Sequence, residues 1–162
     1  MVAKRNDGQP ELTDFAAWQT HLQDLYRSLS RRKGSPYPRE RRMNAFKDAL
    51  YRYYRALKAA GKLDELEDFI NQRDDQYWNP YPVRDKGALW VIRLPTAAGN
   101  TWLIKSATTR SRIATELDYA DANDIAPDML LAFLYEAGST QTIEEDFAKG
   151  SWPEWAERYQ EP

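Results

Sequence analysis

From Phe15 the apolar positions fall at Phe15, Trp18, Leu22, Leu25 and Leu29, alternating steps of three and four that line one face of a helix. Thr13 or Asp14 can cap its start. After Gly34-Ser35-Pro36-Tyr37-Pro38 the same spacing returns at Met43, Phe46, Leu50, Tyr53 and Leu57, with Pro38 suited to a first helical position and Gly61 to the far end. Two seams joined by a short Pro/Gly connection predict an antiparallel helical hairpin. A third helix begins near Lys62, with Leu63, Leu66, Phe69 and Ile70 as its apolar set and Asp64, Glu65, Glu67 and Asp68 on its polar side.

Residues 79 to 87 contain two prolines, a glycine and no helical spacing, and so form a connection. Ala88 to Leu94 and Thr101 to Lys105 are rich in Trp, Val, Ile and Leu, and Gly99-Asn100 lies between them as turn material. That composition predicts a buried β-hairpin. Ser111 to Tyr119 follows as a helix through Ile113 and Leu117, and Pro127 to Ala137 as another, stopped by Gly138. Thr142 with Glu145, and Ser151 with Glu154, have capping-box spacing, so two short helices follow, the last carrying Trp155 and Tyr159 one turn apart.

The expected fold is therefore α+β: an N-terminal antiparallel helical hairpin plus a third helix, one β-hairpin, and a short helical C-terminal part. A length of 162 residues suits one core. Residues 1–10 read as a flexible N-terminus and 11–162 as a single compact domain, with 11–78 helical and 88–162 holding the hairpin and the remaining helices. Pro-Tyr-Pro at 36–38 and 80–82 is turn chemistry used twice, too short for a repeat.

Composition narrows the chemistry. There is no cysteine, which removes disulfides, thiolate metal sites and cysteine nucleophiles together. His21 is the single histidine, and its place between apolar helix positions suits packing better than proton transfer. The apolar runs fall far short of the roughly 20 residues a membrane span needs, and Met1 to Pro10 has no apolar signal segment. The expectation is a soluble cytoplasmic protein with no membrane partner, no metal and no cofactor.

Charge changes the picture most. The net charge is only −2, yet residues 1–60 hold 13 Lys or Arg against six acids, and residues 61–162 hold ten against 19. On a helical wheel of the second helix, Arg41, Arg52 and Arg55 stand opposite the apolar seam, with Lys47, Lys58 and Tyr51 on the flank. Arg31, Arg32, Lys33, Arg39 and Arg42 extend this basic face. Guanidinium groups can grip phosphates in bidentate fashion, and an exposed Tyr51 would offer a base a stacking surface. The competing reading is a solvated helix face, within which Asp48 already lies.

The mirror feature is acidic. From Ile113 to Ala148 the chain carries Glu116, Asp118, Asp121, Asp124, Asp128, Glu136, Glu144, Glu145 and Asp146 and no Lys or Arg. A folded acidic surface can hold carboxylates where a nucleic acid holds phosphates and so enter a basic cleft. Small phage or plasmid inhibitors of restriction and CRISPR systems act in this manner, an analogy of charge and size.

A third feature is residues 105 to 112. Lys105, Thr108, Thr109, Arg110 and Arg112, with the hydroxyls of Ser106 and Ser111, leave a strand and enter a helix, which suits an anion. The glycines of a P-loop are missing, and helix capping is the competing use of the hydroxyls. Asp118, Asp121 and Asp124 lack the glycine and terminal glutamate of a calcium loop, and nothing in the sequence makes Asp74 and Asp75 converge on a metal. Helices followed by Leu-Trp-Val-Ile-Arg-Leu, over residues 88 to 105 alone, resemble in outline the RelE-type messenger-RNA-cleaving toxins, with no active-site residue carried over.

The sequence reading is thus a non-enzymatic binding protein whose basic helical face contacts nucleic acid or a ribonucleoprotein. Its alternative is an acidic nucleic-acid mimic or adaptor that inhibits a nucleic-acid-processing defence complex through protein contact. The charge polarity also leaves self-association open.

Overall fold

Phe15, Trp18 and Leu22 are buried along one face of α1 (Phe15–Ser30), as the three-and-four spacing requires. Asp14 caps the helix, its Oδ1 accepting from Ala17 N at 3.2 Å. The structure, a computed structural model, describes residues 8–30, 38–73, 87–98, 101–104, 106–150 and 153–161; for 29–30, 38–42, 73, 96–98 and 101–102 the backbone alone is described.

α2 (Pro38–Ala59) runs antiparallel to α1: Trp18 near the start of α1 stacks on Tyr53 near the end of α2 at 4.0 Å, and Tyr26 meets Phe46 edge-on at 5.0 Å. Gly61 ends α2 at φ 67°, the left-handed conformation glycine adopts at least cost, and Lys62 N reaches back to Leu57 O at 2.9 Å. α3 (Leu63–Arg73) follows at once and buries Leu66 and Ile70.

The segment expected as the first strand of a β-hairpin is instead a helix, α4 (Gly87–Thr96). Trp90, Val91, Ile92 and Leu94 are all buried, and α1, α2 and α3 pack around them together with α5 (Ala107–Ala122). Its apolar run at residues 88–92 is short and unbroken and is followed by a buried Arg93, and a run of that length cannot be told from a buried strand by composition. Helical backbone bonds are also satisfied within the segment, whereas a buried strand needs neighbours to pair with. Tertiary contacts complete its ends. Asp118 Oδ1 accepts from Ala88 N at 3.1 Å, and near the other end Gln19 and Gln23 donate to Leu94 O and Pro95 O at 3.0 and 3.2 Å.

Apart from an isolated bridge between Ile125 and Gln160, the extended pairing among the described residues is limited to β1 (Ala97–Ala98) against β2 (Thr101–Trp102). It is antiparallel, with Ala97 opposite Trp102, and the expected turn residues 99–100 lie outside the described ones. The fold is helical rather than α+β, and the outline likeness to RelE-type toxins loses the strand at 88–94 on which it rested.

α5 starts earlier than Ser111 because Ser106 caps it, accepting from Thr109 N at 3.2 Å. A 3-10 turn at Pro127–Met129 leads into α6 (Leu130–Ala137), which stops at Gly138 with φ 98°. α7 (Thr140–Ala148) is capped by Ser139 rather than Thr142, whose own N–H donates to Ser139 Oγ at 3.2 Å. The C-terminal 3-10 helix (Glu154–Tyr159) docks through Trp155 and Tyr159 on Phe133, and Ala126 N donates to Tyr159 O at 2.8 Å. Ser151, expected to cap this element, lies outside the described residues.

Candidate charged interface

α2 is covered on two sides, and this decides what its charges do. Its three-and-four seam faces α1, while Tyr51 and Tyr54 are buried against elements that arrive much later in the chain. Tyr51 has no exposed surface, and its hydroxyl donates to Ile125 O at 2.6 Å in the turn after α5. The exposed stacking tyrosine expected from the helical wheel is therefore a core residue, because a wheel drawn from one seam does not show a second covering layer. Burial raises the Tyr51 pKa well above the ordinary tyrosine value.

The same layer brings carboxylates to the α2 cations. Arg55 donates from Nη1 to Asp121 Oδ1 and from Nη2 to Asp124 Oδ1, both at 2.7 Å. Lys58 Nζ reaches Asp121 Oδ2 at 2.5 Å, and the Tyr54 hydroxyl lies 3.4 Å from the same oxygen. Asp121 thus meets two cations and a hydroxyl while its side chain is only 7% exposed. Arg52 spans Asp48, at 3.0 Å, and Asp128, at 2.6 Å. Further along, Lys47 pairs with the buried Glu116 at 2.6 Å, and Thr140 donates its hydroxyl to the other carboxylate oxygen at 2.9 Å.

The electrostatics follow the geometry. At Arg55 burial disfavours the cation, but its hydrogen bonds to Asp124 and Asp121 outweigh that cost and raise the pKa above the ordinary value. Hydrogen bonds to Asp128 and Asp48 raise that of Arg52. Glu116, Asp121, Asp124 and Asp128 from the acidic stretch neutralise Lys47, Arg52, Arg55 and Lys58 from the basic one. Asp118 instead caps α4.

With this arrangement in view, comparison with known proteins supplies no relative. No family model matches the chain, and no curated protein or solved structure matches it significantly.

The remaining candidate residues are dispersed. Arg31, Arg32 and Lys33 lie outside the described residues, and Arg39, Arg41 and Arg42 occupy the first turns of α2, where the backbone alone is described. Lys105 of the anion site lies outside as well. Ser106 is spent on capping, Arg110 donates to Ile104 O at 2.5 Å, and Thr108 and Arg112 are exposed. Glu144 and Glu145 are exposed on α7 with Asp146 half-buried, and Gln141 donates to Glu145 at 3.2 Å. Glu136 accepts from Arg158 at 2.6 Å and from the Tyr159 hydroxyl.

His21 is half-buried, edge-on to Trp18 at 5.2 Å. It lines a groove of about 720 Å³ with Leu25, Ala49, Arg52 and Tyr53. No group of three or more His, Cys, Asp or Glu placed to hold a metal occurs among the described residues, and no helix there is long and apolar enough to cross a membrane.

Two features escaped the sequence reading. The Lys47–Glu116–Thr140 cluster joins three elements and had no local signal. The other is the exposure of three large apolar side chains, Met129, Leu131 and Tyr135, the last two lining one depression. Leu131 and Tyr135 occupy the helix face opposite buried Leu130, Phe133, Leu134 and Ala137, so a wheel of α6 would have revealed them.

Proposed function

We propose that the protein is a non-enzymatic binding protein that presents its carboxylate-rich C-terminal surface to a basic protein partner. A nucleic-acid-processing defence complex, of the restriction or CRISPR kind, has the basic cleft this surface suits. The observation that carries the reading is the occupation of Arg52, Arg55 and Lys58 by Asp121, Asp124 and Asp128. Cations held this way are poorly placed to grip phosphates, since each would have to exchange a charge-assisted bond within the fold for one outside it. Carboxylates remain in excess: residues 113–161 hold twelve acids against Lys149 and Arg158, and Glu144, Glu145, Glu154, Glu157 and Glu161 are exposed.

The test is affinity capture from nuclease-treated lysate of a host cell, comparing the wild-type chain with a Glu144→Lys/Glu145→Lys variant. A basic nucleic-acid-handling protein retained by the first and lost by the second supports the reading. An unchanged set of captured proteins overturns it.

A second reading is nucleic-acid contact by Arg31, Arg32, Arg39, Arg41 and Arg42. The supporting observation is one of sequence: between positions 31 and 42 these five arginines and Lys33 stand with a single acid, Glu40. Fluorescence polarisation against labelled single-stranded and duplex DNA and RNA tests it. Binding that fades between roughly 50 and 200 mM salt and needs Arg39, Arg41 and Arg42 would favour this reading, whereas no binding at the lowest salt would remove it.

A further inference from the structure

Tyr135 is 91% exposed, which is extreme for an aromatic side chain on a folded helix. Leu131 stands one turn before it on α6 at 39%, and Met129 adds a third exposed apolar group at 43%. Scattered exposed apolar residues need no explanation, but apolar neighbours one helical turn apart beside a depression mark an interaction surface. Such a depression adjoins Leu131 and Tyr135. It has a volume of about 220 Å³ and is lined by Asn44 and Lys47 of α2, Glu116 of α5, Leu131, Leu134 and Tyr135 of α6, and Gly138 and Ile143 beyond. That is the scale of one large side chain, the usual size of an interface anchor.

Its charge identifies the visitor. Lys47 is the one cation among the lining residues and is already paired with Glu116, so the floor is neutral and internally satisfied. Of the acids near it in the chain, Asp128 is engaged by Arg52 and Glu136 by Arg158, whereas Glu144 and Glu145 are exposed on α7 directly after Ile143, which lines the depression. An apolar anchor site followed in the chain by two exposed carboxylates suits a partner of the opposite pattern.

We propose that α6 carries the anchor point of the acidic surface, a docking site for a basic protein segment that lays one apolar side chain against Leu131 and Tyr135 and its Lys or Arg residues against Glu144 and Glu145 of α7. The inference rests on the reading of the acidic surface as a protein-binding face. It deepens that reading by naming the residues that give the contact its anchor. Tyr135 and Leu131 supply burial and fix the register, while the acids supply attraction and a salt-sensitive association rate.

The probe is a dye-labelled amphipathic Leu/Lys helical peptide, with a Leu/Glu peptide of the same pattern as control, titrated with the full chain at two salt concentrations. The Leu/Lys peptide is expected to bind and the Leu/Glu peptide not. Tyr135→Ser and Leu131→Ser, both at exposed positions, should each weaken binding about tenfold. The amide resonance of Gly138 should shift on titration.

Binding abolished by Glu144→Lys/Glu145→Lys but indifferent to Tyr135→Ser would overturn the anchor and leave the acidic-surface reading standing. No binding of the Leu/Lys peptide at either salt would overturn both. A dimer in sedimentation velocity that Tyr135→Ser dissolves would also overturn the proposal, since the occupant would then be a second copy of the chain.

Discussion

Arg55 of α2 and Asp121 of α5 meet at 2.7 Å across 66 positions of sequence, with side chains only 18% and 7% exposed. Each belongs to one of the two oppositely charged blocks that dominate the sequence. Their contact turns an apparent division of the surface into an internal seam.

The seam should be unequal along its length. A double-mutant cycle on Arg55→Ala and Asp121→Ala is expected to give a coupling of about 1–3 kcal/mol by chemical denaturation, because removing one partner leaves the other charge poorly solvated. The cycle on Arg52→Ala and Asp128→Ala should give less than about 1 kcal/mol, since Asp128 is 80% exposed and water screens the pair.

Charge reversal at Arg55 is a structural substitution before it is a functional one. Arg55→Glu would add a carboxylate beside Asp121 and Asp124, and its melting temperature should fall well below that of Arg55→Met. Substitutions of Arg39, Arg41 and Arg42 test nucleic-acid contact while leaving the Arg55 pairs to Asp121 and Asp124 in place.

Burial raises the pKa values of Tyr51, Tyr53 and Tyr54 above the ordinary value of about 10. The protonated phenol is the form that the fold favours. Its contribution to stability is fully present below about pH 10 and is lost as pH climbs through the raised values. In an alkaline titration, tyrosinate absorbance from these three should appear together with loss of helical circular dichroism.

Gly87 opens α4 against the ring of Tyr54. A Cβ there would lie 2.8 Å from Tyr54 Cε2 and Oη, and the ring is fixed between α2 and α5. Gly87→Ala should therefore destabilise the protein by about 1–3 kcal/mol despite alanine's better helix propensity, and Gly87→Ala with Tyr54→Leu should recover part of that loss.

Helix by helix, legibility depended on whether an element has a wet side. α1 and α2 were readable because water on one face and core on the other impose the three-and-four spacing of Phe15 to Leu25 and Met43 to Leu57. Gly61 and Gly138 marked helix ends for a local reason, their positive φ. α4 reads as a strand because its unbroken apolar run at residues 88–92 is short enough for either element, and only packing against α1, α2, α3 and α5 decides between them. The candidate site was half legible: Asp121, Asp124, Arg52 and Arg55 were singled out, but as two separate surfaces.

The amphipathic helices and their stops follow from neighbours within a turn or two, and the division of charge between the two ends of the chain follows from composition. Long-range packing alone makes Trp90 and Ile92 part of a helix, turns Tyr51 toward Ile125 inside the core, and pairs Arg55 with Asp121 and Asp124. The reason is physical. Helix periodicity and capping depend on residues close in the chain, whereas the partner of a charge depends on which segment folds over it, and here that segment lies more than 60 residues away.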